Sequence, residues 1–145
     1  MPDIEPQPVP KAAAATGASV VQRLRLAAVV LFMLGLLVQF YLAGRGAFGA
    51  SSYSAHKHFG DALHFVPGVI PLLTLASRAT RNRVDIVHAV LLIVLFEVQF
   101  ALADLKHPTA GAFHPVNAVL ILGVTYSLFR RDLRAVSSRR AAVHP

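Results

Sequence analysis

Residues 24–43 read LRLAAVVLFMLGLLVQFYLA, twenty residues with one arginine near the start and one glutamine deep inside. At about 1.5 Å per residue, a helix over this run crosses a hydrocarbon core of about 30 Å. The run has no polar face, so it does not fit the runner-up architecture, a soluble helical bundle. Working outward, weaker apolar runs follow at about 56–77, 86–103 and 112–130. Each carries polar or helix-bending residues: His64, Pro67 and Pro71 in the second, His88, Glu97 and Gln99 in the third, and Pro115 near the start of the fourth. The pattern predicts an all-α fold, an integral membrane four-helix bundle, with spans at about 24–44, 56–77, 86–103 and 112–130.

Composition agrees. Of 145 residues 55% are hydrophobic and only 14% charged, and the mean hydropathy is +0.58. Values of this kind belong to membrane proteins. The net charge of +7 does not point to nucleic acid, because the arginines flank the apolar runs and line no face with aromatic platforms. No cysteine is present, which excludes disulfides, thiolate metal sites, iron–sulfur clusters and covalently attached haem. The proline-rich start, through residue 22, reads as a disordered cytoplasmic tail, and 135–145 as a basic cytoplasmic tail. The alanine-rich, arginine-rich usage suggests a bacterial source.

The basic residues also predict orientation. Lys11, Arg23 and Arg25 precede the first span, Arg78, Arg81 and Arg83 separate the second from the third, and Arg130, Arg131, Arg134, Arg139 and Arg140 follow the fourth. Only Arg45, Lys57 and Lys106 fall near the other two connections. The positive-inside rule then places both termini in the cytoplasm of a bacterial plasma membrane protein, which requires an even number of spans.

Counting from those arginines gives depth. Gln39 lies fourteen residues beyond Arg25, His64 fourteen before Arg78, Glu97 fourteen beyond Arg83 and Asn117 thirteen before Arg130. All are about 20 Å from the inner face at helical rise. Polar groups at such depth usually face the bundle interior, so Gln39, His64 and Glu97 are expected to point inward. His56, Gly60 and His64 are spaced i, i+4, i+8 and share a face that drifts by about 40° per step. Gly60 would leave room for a flat or bulky group.

A purely structural reading accounts for the same residues. His114 in FHPVN would be a helix cap, with Pro115 in the first turn. The HKH segment would be an interfacial helix start capped by Ser52 or Ser54, with Asp61 near the positive end of the dipole. The buried polar groups would bind only one another and glue the helices.

Three stretches carry a resemblance. QFYLAGRGAFG, HKHFG and HPVNAVLILG resemble a family of small bacterial four-helix membrane proteins of unknown function, over Gln39 to Arg130. This implies fold and topology and brings no activity. More distantly, HKHFG and HPVNA are similar to the four-helix halves of haem A synthase and related b-type cytochromes, where histidines on different helices ligate haem iron. Carried over by position, the resemblance implies His56 and His114 as ligands. The chain has one such half only, and lacks the glutamate four residues before a histidine that accompanies that enzyme's oxidation chemistry.

The resulting expectation is a b-type haem in the outer half of the bundle, serving electron transfer or haem handling and not hydrolysis. His114 is the first ligand, opposite either His56, by resemblance, or His64, by depth. Gly60 would make space, and Gln39, Glu97 and Asn117 would surround the ligands. The lipid bilayer is the first partner, with a membrane redox protein or a second copy of the chain as further ones. Two other readings stand beside it: a non-catalytic accessory subunit with a polar packing layer and no cofactor, and a divalent metal site at the outer surface built from His56, His58, Asp61, Asp104 and His107.

Overall fold

A computed structural model describes residues 19–77, 80–105 and 107–141, the side chains of 139–141 excepted. Arg78, Lys106 and residues 1–18, on which part of the charge and tail readings fall, lie outside the described residues. Those described form six helices: α1 (Val20–Ala47), α2 (Ser54–Leu63), α3 (Phe65–Ala76), α4 (Arg83–Asp104), α5 (Pro108–Gly111) and α6 (Phe113–Ala141). With α2 and α3 running on as one stretch, four helices are long and apolar enough to cross a membrane. The expected all-helical, four-span architecture is therefore present.

Local chemistry fixes the helix ends. Ser19 and Gln22 form a reciprocal capping box, in which the Ser19 hydroxyl accepts from the Gln22 amide at 3.3 Å and the Gln22 side chain accepts from the Ser19 amide at 2.9 Å. This starts α1 inside the stretch expected to be tail up to residue 22, a correction that follows from two backbone donors being satisfied at once. Asn82 caps α4 by accepting from the Asp85 amide at 3.0 Å. Beyond α1 the chain turns through Gly49 at φ +72°, a left-handed conformation natural to glycine.

The break between α2 and α3 falls at His64, whose amide reaches only three residues back, to the Asp61 carbonyl at 3.4 Å. Pro67 has no N–H to give the Leu63 carbonyl, and Pro71 none to give that of Pro67, so the regular ladder is interrupted twice.

The spans pack as a closed ring in which α1 touches α3 and α6, and α4 touches α3 and α6. Val29, Phe32 and Leu36 of α1 meet Leu63, Ile70, Ala89, Leu92, Phe96, Ile121 and Leu128 in one core. Phe32 and Phe96 stack edge to face at 5.4 Å between centroids. Thr74 and Thr125, both fully buried, return their hydroxyl protons to the carbonyls of Ile70 and Ile121 at 2.8 Å, so their burial leaves no donor unpaired.

One end of the bundle is ionic. Arg25 is 0% exposed and lies 3.2 Å from Asp132 and 3.7 Å from Asp85. Arg131 donates to Asp85 from the other side, and Asn82 bonds Asp85 as well. The sequence places Arg25 as a cytoplasmic flank of the first span; in the structure it is buried against α4 and α6 instead. The two arginines and two aspartates cancel in formal charge, with Arg131 37% exposed and Arg25 fully buried, and this pairing offsets part of the cost of burying Arg25.

Candidate functional site

A cavity of about 350 Å³ lies at the opposite end of the bundle. Each spanning helix gives it a small residue, Ala43 from α1, Gly60 from α2, Ala103 from α4 and Ala118 from α6, and this is why the helices enclose space there. The volume is in the range of small-molecule sites. Tyr53, Lys57, Asp61 and Asp104 line it beside the connecting loops, with Lys57 and Asp61 paired at 3.3 Å.

His56 and His114 both line this cavity, with ring centroids 6.2 Å apart and ring planes at 73°. Each ring is held by a neighbouring helix. Nδ1 of His56 lies 3.2 Å from the Gln39 carbonyl of α1, and Nδ1 of His114 lies 3.1 Å from the Gln99 carbonyl of α4. A carbonyl can only accept, so both rings carry hydrogen on Nδ1, and in the neutral ring Nε2 keeps its lone pair. His114 is thus no helix cap. It sits in the first turn of α6 and bonds across to α4.

Around this pair the polar residues fall into two groups. Gln39 lines the cavity, whereas Asn117 does not and reaches it only through Gln99. The Gln39 side chain lies over Gly60, where an added Cβ would stand 2.6 Å from its Nε2, and its Oε1 is buried with no hydrogen-bond partner among the described residues. Asn117 donates to the Leu95 carbonyl at 2.8 Å and to Gln99 Oε1 at 2.7 Å, and so steadies the residue whose backbone holds His114. Gln99 was not among the expected site residues. A second glutamine in an apolar span, two residues from Glu97, was the available signal.

His64 and Glu97 depart from expectation. They do not line the cavity; they pair with each other at 3.2 Å, and their side chains are 40% and 58% exposed on the outside of the bundle. The expected inward orientation of Glu97 is overturned, and so are its place near the ligands and His64 as a partner for His114. The shared face of His56, Gly60 and His64 also ends at Gly60. Two steps of drift already turn His64 by about 80°.

The outer metal site is not assembled either. Among the described residues no three histidine or carboxylate groups come close enough to hold an ion. His58 instead contacts the Ser54 hydroxyl at 3.4 Å, and Asp61 is engaged with Lys57. At the start of α2 the Tyr53 side chain makes no capping bond, while the Ser52 hydroxyl accepts from the Ser54 amide at 3.4 Å.

Fold and site together define a small all-helical protein with four candidate membrane spans and a two-histidine cavity at one end. Residues 39–110 match a family described as a family of unknown function, DUF6220. No curated protein and no solved structure matches the chain. The family match takes in Gln39, His56, Gly60 and Gln99 and stops before His114, so the likeness expected to run to Arg130 extends only to residue 110.

Proposed function

We propose that this protein spans a bacterial plasma membrane four times with both termini cytoplasmic, and that His56 and His114 hold a b-type haem in its outer half for electron transfer or haem handling. One observation carries the reading: both imidazoles commit Nδ1–H to a carbonyl of an adjacent helix and keep Nε2 for a ligand. Metal-binding histidines are characteristically oriented this way. His56 and His114 would hold the haem iron through these two nitrogens. The 6.2 Å separation suits that, and the four small residues suit a flat group.

In this reading Gln39 and Gln99 orient the ligands through their backbones, and Asn117 braces Gln99. The apolar walls from Leu36, Phe96 and Ile121 exclude water. When bound, haem supplies one-electron chemistry at its iron. The chain would contribute imidazole nitrogens, orientation and a low dielectric, with no catalytic residue of its own required.

Purified protein expressed with ample haem is expected to show a Soret band and a low-spin spectrum. His114→Asn and His56→Asn should abolish it with helicity retained, whereas His107→Asn should change nothing. Wild type with no Soret absorption would overturn the reading. It would leave the non-catalytic accessory role, favoured by the Asn117 bonds that join α6 to α4.

A further inference from the structure

We propose that the outward face carrying His64 and Glu97 is where a second copy of this chain packs in the membrane. The proposal rests on the four-span reading and is independent of any cofactor. Glu97 lies fourteen residues along α4 from Arg83, deep in the hydrocarbon at helical rise, yet its side chain is 58% exposed. Ionisable groups at that depth almost always face protein or water, because lipid tails offer no hydrogen bond. The pair satisfies itself only halfway. His64 Nε2 meets Glu97 Oε1 at 3.2 Å, while His64 Nδ1 and Glu97 Oε2 have no hydrogen-bond partner among the described residues.

The chemistry of these two free atoms selects the occupant. In the net-neutral pair, with hydrogen on Nδ1 and one proton shared between Nε2 and Oε1, Nδ1–H donates and Oε2 accepts. One donor and one acceptor on a single patch are self-complementary under a two-fold axis: His64 of each copy can meet Glu97 of the other, twice. The surroundings permit close approach. Val90, Val94 and Ala101 share the exposed face of α4 with Glu97, at the three-and-four spacing of a helix–helix seam. Phe65, 77% exposed, stands beside His64.

The absence of cysteine makes the test direct. Val94→Cys in the full chain, oxidised in native membranes, should give a cross-linked species of twice the chain mass. Leu34→Cys, on the exposed side of α1, should stay monomeric. In lipid vesicles at low protein density, fluorescence energy transfer between labelled copies should report wild-type dimers, weakened about tenfold in Glu97→Leu, equivalent to one or two interhelical hydrogen bonds. His64→Leu should act alike, and the double variant should be no weaker than either single one. The proposal is overturned if wild type is monomeric in vesicles, if Leu34→Cys cross-links as well as Val94→Cys, if Glu97→Leu dimerises like wild type, or if Val94→Cys cross-links only to a chain of different mass. A surviving dimer without a Soret band would sink the haem reading alone.

Discussion

Two glycines show how differently one missing methyl can matter. A Cβ at Gly35 would stand 2.6 Å from Leu63 Cδ1 and 3.2 Å from Cδ2, inside the core where α1 crosses α2. Leu63 has nowhere to go, so Gly35→Ala should cost about 1–3 kcal/mol by overpacking, read as a lower Tm in detergent. At Gly60 the obstacle is the free end of Gln39, which borders open space. Gly60→Ala should therefore leave Tm close to wild type and push the amide into the cavity, weakening haem retention in a titration. Comparable loss of Tm in the two variants would contradict this. At the residue scale, position along each helix was legible in the sequence and direction was not. The count from Arg83 set how far along α4 Glu97 lies, but α4 is apolar almost all round, and without an amphipathic stripe nothing in its pattern says which side faces the bundle.

At the scale of elements, the arginine-rich end holds the strongest constraint on packing. Arg25 belongs to α1, Asp85 to α4, and Asp132 and Arg131 to α6, so one buried network ties three of the four spans together. Arg25→Met would leave Asp132 buried with no cation within 4 Å among the described residues, and is expected to destabilise by about 3–5 kcal/mol. Arg25→Met with Asp132→Leu should recover most of that loss, because the charge and its counter-charge leave together. Chemical denaturation of the three proteins in detergent decides it. A double variant as unstable as the single one would mean that Arg25 acts through its packing volume alone. The spans themselves were readable, since length and hydropathy suffice to recognise them. The network was hidden because an arginine near the start of a span looks the same whether it anchors in headgroups or turns inward. The only hint was aspartate beside arginine in both RVD, 83–85, and RRD, 130–132. The break at His64 was hidden for a related reason: two prolines in a membrane helix announce a bend without its direction.

For the whole molecule, the ring of four spans places the ionic end and the histidine cavity on opposite sides. Under the proposed orientation, a fluorescent-protein fusion after Arg134 should glow and a phosphatase fusion at the same point should be inactive. A phosphatase fusion in the 48–53 connection should be active. The reverse pattern would invert the orientation and move the cavity to the inner leaflet. The unequal ends also bear on how the bundle breathes. Where Arg25 is clasped by two aspartates, separating the helices exposes charges to hydrocarbon. At the other end small residues meet across a void, and α2 is a ten-residue piece whose backbone ladder is interrupted at His64. Thermal motion should thus open the molecule as tongs open, pivoting on the ion cluster with the histidines at the jaws. A guest between those jaws would come and go by a swing of α2, without unlocking the rest of the bundle.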